Sequence, residues 1–540
     1  MKKYLIILVV ISVIFLSFKA DDYFEISKNL EIFTSVYKEV NTTYVDEVKP
    51  GQLIRAAING MLQSLDPYTN FYSEAQAEDY RYEVTGTYAG IGASVRKIDG
   101  DVVIEATLEN YPAQKAGLWP GDKIIAIDGV EIKDKKPNEV NDLLKGNAGT
   151  SFEVKVDRQG KTLEKTLSRE KITIKNVPYF GMLKSNTGYI KLTGFTPNAG
   201  KEVREAVVKL KTQGADKLIL DLRGNGGGLL FEAINIVNVF VPKGEPIVVT
   251  KGKYKEDDRT YKTTNSPVDR EIPLVVLING RSASASEIVS GALQDLDRAV
   301  LVGRNSFGKG LVQATRPLKY GTQMKVTIAK YYIPSGRLIQ RLDYGNKKNG
   351  KAIAVADSAK QKFKTRNGRE VVDGEGIQPD IKIESQQLSE IAQSLIKKNL
   401  IFKYANRFRS ENQSVKAAKE FDVSTDLYSE FQTYLVDKDY EYTTETEKAL
   451  KKLIDQSKDD KYYNLLKTEL ETLETELDET KQADLKTNAS EIKELLEYEI
   501  LKRYYYERGG IEASFDDDLD LKRTHQLFAN LTEYNNILGK

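Results

Sequence analysis

Asn279-Gly-Arg-Ser-Ala-Ser-Ala-Ser-Glu-Ile288 is the stretch on which the interpretation of this chain depends. It follows Leu274–Ile278, an apolar and β-branched run of the kind that forms a buried strand. From Ile288 onward the apolar residues recur at helical spacing, so the sequence predicts a strand, a tight turn and a helix in succession. The N-terminus of a helix exposes backbone N–H groups without intrahelical partners, and this turn can present a small hydroxyl beside them.

A lysine lies between two glycines further along the same region, in Ser306-Phe-Gly-Lys309-Gly-Leu-Val-Gln313. Glycine lets the backbone of such a loop come close to a neighbouring segment. A serine at the start of a helix, together with a lysine embedded in this way, suggests acyl transfer with lysine as the base. On the residues alone, Ser282, Ser284 and Ser286 all remain candidates for the nucleophile.

The composition excludes several other kinds of catalytic site. The chain of 540 residues contains no cysteine and a single histidine, His525, near its C-terminus. A cysteine nucleophile, a thiolate zinc site and disulfide bonds are therefore excluded. A Ser-His-Asp triad could use only His525, which lies in a charged helical tail. The base of a nucleophilic hydrolase is then most simply a lysine, which must lose its proton near neutral pH and so needs an apolar or cationic setting.

The N-terminus has the pattern of an export signal. Lys2 and Lys3 precede an apolar run, residues 4–18, that is too short for a comfortable membrane span. Residues 1–20 are predicted to be a signal peptide, with an uncleaved membrane anchor as the alternative because Phe18 fits the small-residue cleavage rule poorly. The mature chain is expected outside the cytoplasm, in the periplasm or cell envelope. A net charge of +1 at pH 7 gives no argument for nucleic-acid binding.

The length favours three or four domains, and residues 21–83 are interpreted as an N-terminal helical domain. Residues 84–170 change to short strands and glycine turns, as in Pro120-Gly-Asp-Lys-Ile-Ile-Ala-Ile-Asp-Gly129. This ordered set resembles a PDZ domain, against the simpler interpretation of an unrelated small β domain. The resemblance implies that an extended peptide adds to a sheet edge. The implied loop for its terminal carboxylate consists of Tyr88, Ala89, Gly90, Ile91 and Gly92.

Residues 171–384 alternate strands and helices, so the fold class is predicted to be α/β (α+β) and multidomain. Residues 198–213 predict a helix whose inward face consists of Val203, Ala206, Val207 and Leu210. A buried strand over residues 217–222 runs into Arg223-Gly-Asn-Gly-Gly-Gly228, and a helical pattern follows. Such a glycine cluster exposes backbone amides to which an oxyanion or a phosphate can bind. It lacks the Gly-Lys-Ser/Thr of a Walker loop.

These segments closely resemble the carboxyl-terminal processing peptidases, also called tail-specific proteases, over residues 31–383. The motifs that carry the resemblance are Ser64-Leu-Asp-Pro67, the PDZ segment, Asp221-Leu-Arg223 with its glycines, Ser282-Ala-Ser-Ala-Ser-Glu287, Phe307-Gly-Lys-Gly310 with Gln313, and Gly374-Glu-Gly-Ile-Gln-Pro-Asp380. The resemblance implies a Ser-Lys serine endopeptidase in which Ser284 is the nucleophile, Lys309 the general base and Gln313 the residue that orients the lysine. It also implies an oxyanion hole formed by the backbone N–H groups of Ala285 and of Gly227 or Gly228.

Several of these residues also have simpler structural interpretations. Ser284-Ala-Ser-Glu287 fits a capping box, in which Ser284 only caps the helix. An isolated lysine is usually a solvated surface charge, and a glutamine at position 313 is more often a plain polar residue. Arg223 fits a structural ion pair. Asp295 is expected to support the site through hydrogen bonds, with local capping or pairing as the alternative.

The resemblance implies a substrate class as well as a mechanism. The PDZ segment would capture the carboxyl end of an unfolded or tagged exported polypeptide and feed it to the protease core. No metal, nucleotide or organic cofactor is implied. Two other classes stay open: a non-catalytic PDZ scaffold, against which the intact Ser284, Lys309 and Gln313 argue, and a cofactor-using acyl-transfer enzyme of the crotonase type, against which the PDZ segment and the export signal argue.

Residues 385–540 are charged, tyrosine-rich and helical, and are predicted to form a C-terminal helical domain. A short heptad-like seam is predicted from Leu466, Leu470, Leu473 and Leu477. Another helix is predicted over residues 491–506, and the following Gly509-Gly510 is interpreted as its stop signal. This domain is a candidate for homodimerisation or adaptor binding, with a stabilising helical bundle as the alternative.

Overall fold

The computed structural model describes residues 2–384 and 387–540, with the side chains of residues 23–540 except those at positions 79, 83, 385 and 386. The helices are α1 Lys2–Thr43, α2 Pro50–Gln63, α3 Glu74–Thr85, α4 Pro112–Lys115, α5 Pro137–Leu144, α6 Ala199–Thr212, α7 Leu230–Phe240, α8 Ala285–Asp295, α9 Glu390–Lys397, α10 Leu400–Glu411, α11 Thr425–Leu435, α12 Glu445–Asp459, α13 Tyr463–Thr487, α14 Ala489–Ala513, α15 Leu519–Ala529 and α16 Leu531–Ile537.

The strands are β1 Asn70–Tyr72, β2 Thr87–Gly90, β3 Ala93–Ile98, β4 Asp101–Thr107, β5 Lys123–Ile127, β6 Val130–Glu131, β7 Ser151–Arg158, β8 Lys161–Ser168, β9 Glu170–Thr173, β10 Tyr179–Met182, β11 Thr187–Lys191, β12 Lys217–Asp221, β13 Pro246–Gly252, β14 Arg259–Lys262, β15 Leu274–Ile278, β16 Val300–Gly303, β17 Leu311–Pro317, β18 Gln323–Tyr332, β19 Leu342–Lys348, β20 Lys351–Ala354, β21 Lys362–Lys364, β22 Glu370–Val372 and β23 Ile381–Lys382.

The sheet that positions the site has the strand order β10-β11-β12-β15-β16-β23. Its strands run parallel from β11 to β23, and β10 pairs antiparallel with β11 at the edge. The strand predicted at Leu274–Ile278 is β15, in the middle of the sheet, and all of its residues are buried. A strand that is covered on both faces has a continuously apolar sequence instead of an alternating one, and the prediction of a buried strand is confirmed.

Helices cover both faces of this sheet. On one face, α6, α7 and α8 pack against alternate strand residues, and the predicted inner face of α6 is buried as expected. On the other face, Val275 and Leu277 lie in a cluster with apolar residues of α15 and α16. The backbone N–H of Leu274 also donates to the hydroxyl of Tyr534 at 2.9 Å. Helices α15 and α16 therefore cover the second face of this sheet, and His525, on α15, lies across the sheet from α8.

The PDZ segment forms its own sheet, with the order β3-β4-β5-β7-β8 and β6 paired with β5. Strand β2 pairs antiparallel with β9 beside this sheet. Val140 and Leu144 of α5 are buried in one cluster with Ile91 and Val95. The region of short strands predicted from residue 84 to residue 170 is thus a β domain with one long helix against its first strand.

The chain forms two compact units, whose limits differ from the continuous segments expected from sequence. The first contains residues up to Ala77 together with Gln313–Ile328 and Tyr344–Ile353, and the second contains the remaining residues. In the first unit, β1 pairs antiparallel with β18, with Asn70 opposite Lys325. Residues distant in sequence join the N-terminal helices because of this strand pairing, and the domain limits expected from sequence stay a prediction.

The predicted export signal or anchor, residues 1–20, lies outside the residues whose side chains are described. Within the part of the chain that could be searched, no helix is long and apolar enough to cross a membrane.

The C-terminal segment contains a helical bundle whose core is built from α9, α10, α11 and α14. The predicted leucine seam on α13 is mostly not buried: Leu470 is buried, but Leu466 is 41% and Leu473 46% exposed. The prediction that Gly509-Gly510 ends the helix is wrong, because α14 continues to Ala513 after a non-helical residue at position 506. Homodimerisation or adaptor binding through these helices stays a prediction.

Candidate active site

Ser284 lies directly before α8, in a backbone conformation that is uncommon for a residue with a side chain. Its φ of 56° and ψ of −111° fall in a strained region, which costs on the order of 1–3 kcal/mol and is found most often at functional sites. The side chain is half-exposed. The turn between β15 and α8 therefore presents the hydroxyl at the N-terminus of a helix, beside N–H groups that lack intrahelical acceptors.

The two neighbouring serines have structural roles instead. Ser282 and Ser286 are fully buried. The hydroxyl of Ser282 donates to the carbonyl oxygen of Leu222 at 2.9 Å, and that of Ser286 donates to the carbonyl oxygen of Asn225, also at 2.9 Å. Ser284 therefore differs from the other two serines in exposure and hydrogen bonding, and its role as the nucleophile stays a prediction.

Glu287 joins two segments of the site. One is the serine turn, residues 279–284 between β15 and α8, and the other is the lysine loop, residues 304–310. Its Oε2 accepts the backbone N–H of Ser284 at 2.8 Å and that of Lys309 at 2.9 Å. Its Oε1 accepts the hydroxyl of Ser306 at 2.5 Å and the N–H of Gly308 at 2.7 Å. Burial raises the pKa of Glu287 to about 7, although these four hydrogen bonds act to lower it. From sequence, this glutamate was interpreted only as part of a capping box.

The lysine loop, residues 304–310, follows β16 and lies against the serine turn. The N–H of Phe307 donates to the carbonyl oxygen of Ser282 at 3.0 Å. Gly308 has a φ of 87°, and a Cβ there would lie 2.5 Å from the Cβ of Arg341, so this position requires glycine. Lys309 itself is half-buried. The prediction that glycines let this loop approach a neighbour is confirmed for Gly308.

Tyr331, on β18, holds the same two segments from their carbonyl side. Its hydroxyl lies 2.7 Å from the carbonyl oxygen of Lys309 and 3.2 Å from that of Ser284. The residue is 1% exposed, and its N–H donates to the carbonyl oxygen of Gly310 at 2.9 Å. No sequence pattern indicated this contact, because Tyr331 is 47 residues from Ser284 and belongs to a strand with no recognised motif.

Asn225 connects the glycine loop, residues 223–228, to the serine turn by hydrogen bonds. Its side chain accepts the N–H of Gly227 and donates to the carbonyl oxygen of Leu192, each at 2.9 Å, and its carbonyl oxygen accepts the N–H of Ala283 at 3.0 Å. A Cβ on Gly227, whose φ is 96°, would lie 2.6 Å from the carbonyl oxygen of Ala283 and 2.9 Å from the Cβ of Ser284. The glycine loop and the serine turn therefore approach each other closely at Gly227, and its implied place in an oxyanion hole stays a prediction.

Gly228 faces a different neighbour. Its φ is 155°, it bridges to Phe195, and a Cβ there would lie 2.6 Å from the carbonyl oxygen of Phe195. Because the amide of Gly227 already donates to Asn225, Gly228 is the better candidate of the two glycines for an oxyanion donor.

Arg223 anchors the base of the glycine loop in a buried ion-pair network. Its guanidinium lies 2.7 Å from Asp221, 2.7 Å from Asp518 and 2.8 Å from Asp520. Burial alone would raise the pKa of Asp221, but the charges of Arg223 and Lys191 lower it well below its usual value. The structural ion pair considered for Arg223 is therefore present, and two of its partners come from the beginning of α15.

Asp295 is the last residue of α8, so it lies about 16 Å from Ser284 along the helix axis. Its carboxylate accepts the N–H of Ser335 and pairs with Arg337, each at 2.9 Å. Burial raises its pKa. Asp295 thus has structural partners 40 and 42 residues along the chain, and its expected support of the site stays a prediction.

Gln313 belongs to the first compact unit, on β17, where its side-chain amide donates to the hydroxyl of Thr327 at 3.1 Å. This hydrogen bond to the neighbouring strand β18 gives the residue a structural partner. Its predicted role in orienting Lys309 stays a prediction.

The predicted carboxylate-binding loop of the PDZ segment is partly a strand. Tyr88, Ala89 and Gly90 belong to β2, while Ile91 and Gly92 form the turn into β3. In the part of the chain that the structure describes, β3 is the outermost strand of its sheet, so one of its edges is unpaired, and α5 lies beside it. An unpaired edge between a strand and a helix, with a glycine turn at its end, can accept an extended peptide as an added strand.

Across the described residues, no group of three or more His, Asp or Glu side chains is arranged to hold a metal ion.

Four protein-family models match the chain. Peptidase family S41 matches residues 186–345, a PDZ domain matches residues 103–158, and the N-terminal domain of the activating protease CtpB matches residues 16–76. The C-terminal helical domain of a probable PDZ-protease matches residues 391–528.

Known proteins are also similar to this chain in sequence. A carboxy-terminal-processing protease of Bartonella bacilliformis is 39% identical over 319 residues, which are 58% of this chain and 73% of the relative. A probable CtpA-like serine protease of Staphylococcus haemolyticus is 32% identical over 360 residues, which are 66% of this chain and 65% of the relative, just under two thirds. Among solved structures, a photosystem II D1 C-terminal processing protease is 27% identical, with a TM-score of 0.35, over 65% of this chain and 92% of that one.

Proposed function

Because the chain belongs to the carboxy-terminal-processing serine proteases of peptidase family S41, we propose that it cleaves polypeptides with Ser284 as nucleophile and Lys309 as general base. The observation that carries this proposal is the shared hydrogen bonding of the two residues. Their backbone N–H groups donate to one oxygen of Glu287, which brings the strained serine turn and the lysine loop side by side. Gln313, four residues after Lys309, would orient the amine.

The proposed reaction proceeds in two steps. As the Ser284 hydroxyl attacks a peptide carbonyl, its proton passes to the neutral amine of Lys309, and the oxyanion accepts hydrogen bonds from the backbone N–H groups of Ala285 and Gly228 or Gly227. The C–N bond then breaks, and the leaving amine takes the proton from Lys309. In the second step, Lys309 takes a proton from water as the water oxygen attacks the acyl ester. The bond from the carbonyl carbon to the serine oxygen then breaks, the serine oxygen takes the proton back from Lys309, and the new carboxyl group leaves and loses its proton to solvent.

Replacement of Gly227 by alanine is expected to lower kcat by about 10²- to 10³-fold, because the added methyl would keep the oxyanion away from the N–H of Ala285 and an oxyanion that loses one donor reacts more slowly by this factor. The added methyl would lie within 3 Å of Ser284 and of the N–H of Ala285, where the oxyanion must bind. Gly224→Ala is the matched control, because Gly224 also has a positive φ, of 76°, but has open space around its Cβ position. Steady-state cleavage of a peptide by both variants tests this expectation, and equal kcat values would contradict it.

For the PDZ segment, we propose capture of the substrate's carboxyl end. The turn at Ile91 and Gly92 would bind the terminal carboxylate through backbone N–H groups, and the peptide would add to the open edge of β3 beside α5. The substrates would then be unfolded or tagged polypeptides with a free carboxyl end. The chain offers this edge independently of the catalytic residues, so capture and cleavage are separable by experiment.

Gly92→Ala is expected to raise KM for a substrate with a free carboxyl end by about tenfold, the loss of one charge-assisted hydrogen bond. Its φ is 70°, and the new Cβ would lie 2.6 Å from the Cβ of Tyr111, so the turn must move. The same polypeptide with an amidated end should already have the higher KM, and the variant should not raise it further. Gly100→Ala, with a φ of 93° and open space, is the matched control. A variant that affects both substrates equally would contradict carboxylate capture.

We also propose that the chain acts outside the cytoplasm, since Lys2 and Lys3 precede an apolar run. An uncleaved anchor remains the alternative to a cleaved signal peptide. Fractionation of cells that express the full chain, with N-terminal sequencing of the product, tests this, and recovery of the intact chain in the cytosol would contradict it.

A further inference from the structure

The backbones of Ser284 and Lys309 are held by the same two buried side chains. Both N–H groups donate to Oε2 of Glu287, at 2.8 and 2.9 Å, so the two nitrogens are at most about 6 Å apart. Both carbonyl oxygens lie at the hydroxyl of Tyr331, at 3.2 and 2.7 Å. The relative position of the two residues is thus fixed from the amide side by one residue and from the carbonyl side by the other.

We propose that Glu287 and Tyr331 are positioning residues, which set the distance between the Ser284 hydroxyl and the Lys309 amine. This inference rests on the proposed Ser-Lys mechanism and names two residues outside its reacting groups. Neither side chain takes part in bond making; each acts on the reaction through the backbone to which the reacting side chains are attached.

The geometry favours positioning over ordinary helix capping. A capping glutamate needs to accept only the N–H of the N-cap residue, whereas Glu287 accepts three further donors, all from the lysine loop. Ser306 extends the connection, because its hydroxyl also accepts the N–H of Ile377 at 2.6 Å. The carboxylate therefore joins three separate segments at the point where the serine and the lysine must meet.

The position of Tyr331 leads to the same conclusion. A hydroxyl can donate one hydrogen bond, and the shorter distance indicates that the proton points to Lys309, with Ser284 at the outer limit. The ring is fully enclosed, so the hydroxyl cannot move away without displacing core residues. A shift of about 1 Å between reacting groups is enough to lower a rate by about a hundredfold, which sets the scale of the expected effect.

Tyr331→Phe and Glu287→Gln test the inference. Phenylalanine keeps the ring and removes the hydroxyl, and glutamine keeps the shape while replacing one acceptor oxygen by a donor. Each is expected to lower kcat by about 10- to 100-fold with KM changed less than about threefold, because substrate contacts are retained. The double variant should lose less than the product of the two effects, because both substitutions relax the same distance.

Tyr534→Phe is the matched control. Tyr534 is also a buried tyrosine, 4% exposed, whose hydroxyl bonds to backbone groups of the same sheet, but it lies on the face away from α8. Its loss should lower the melting temperature while kcat per folded molecule stays unchanged. If Tyr331→Phe behaves like Tyr534→Phe, the inference is overturned, and this holds even if Glu287→Gln does not fold.

Variants of Ser284 and Lys309 separate a failure of this inference from a failure of the proposed function. If Ser284→Ala or Lys309→Ala retains full cleavage, the Ser-Lys mechanism fails and the positioning role fails with it. If both of those variants are inactive while Tyr331→Phe and Glu287→Gln keep the wild-type kcat, only the positioning role fails.

Discussion

Ser284→Ala is expected to abolish cleavage of an unfolded protein, with a loss of kcat of at least about 10⁴-fold. The reason is direct: the proposed acyl-enzyme forms on this hydroxyl, and alanine has no atom that can attack the carbonyl. The fold should persist, because the turn is held by the backbone N–H of Ser284 to Glu287 and by the buried serines on either side. Mass-spectrometric detection of products from a model protein with a free carboxyl end is the measurement.

Ser282→Ala and Ser286→Ala are the matched controls for this prediction. Each removes a buried hydroxyl that donates to a backbone carbonyl, so each should cost about 1–3 kcal/mol of unfolding free energy. Their kcat values should stay within about tenfold of wild type, because neither hydroxyl faces the substrate side. Loss of activity at position 282 or 286 with retention at position 284 would exclude the proposed nucleophile. Full activity of all three variants would exclude all three serines as the nucleophile, whereas a wild-type chain that cleaves no polypeptide would favour a non-catalytic PDZ scaffold.

Lys309→Ala is expected to lower kcat by about 10²- to 10⁴-fold, the usual contribution of a general base. The chain offers no competing histidine at the site, since His525 is on α15, across the central sheet from α8. The effect should appear in kcat more than in KM, because the amine acts on the hydroxyl proton and not on substrate binding. Steady-state kinetics with the same model protein provides the measurement.

Lys309→Arg makes this prediction more specific. Arginine keeps the positive charge but cannot be deprotonated in a protein, so it should be as inactive as alanine if the lysine acts as a base. If Lys309 serves only as a fixed charge, arginine should restore much of the activity. The exposed loop lysine Lys243, replaced by alanine, is the control for loss of a surface charge. Wild-type turnover of Lys309→Ala, with the fold intact, would refute the assignment.

Local sequence patterns were sufficient for several elements of the fold. The run Leu274–Ile278 is a buried central strand, as its uninterrupted apolar sequence requires, and the helical spacing after Asn198 gives the buried face of α6. In both cases one short segment contains the whole signal. For the leucine seam on α13 the local pattern was not sufficient. A leucine pattern shows which residues share a helix face, but it does not show whether a neighbouring element covers that face.

Which segments belong to the same compact unit could be seen only in the folded chain. The strands at Gln313–Ile328 carry no signal that joins them to residues before Ala77, since strand pairing between distant segments depends on register and not on local composition. The C-terminal helices likewise show amphipathic patterns, but such a pattern does not show which other part of the chain covers the apolar face. In the structure, α15 and α16 cover the second face of the protease sheet.

By itself, the sequence excluded a cysteine nucleophile and left a lysine as the simplest base for a nucleophilic hydrolase, because the chain has no cysteine and one histidine. The ordered motifs indicated the family, and the resemblance to it implied the pair of Ser284 and Lys309. Only the tertiary structure distinguished Ser284 from Ser282 and Ser286, because burial and hydrogen bonding of three identical side chains depend on the segments that surround them. Only the tertiary structure showed that Glu287 and Tyr331 hold both segments. A hydrogen bond between residues far apart in the chain has no counterpart in local sequence, since it exists only once the backbone has brought donor and acceptor together.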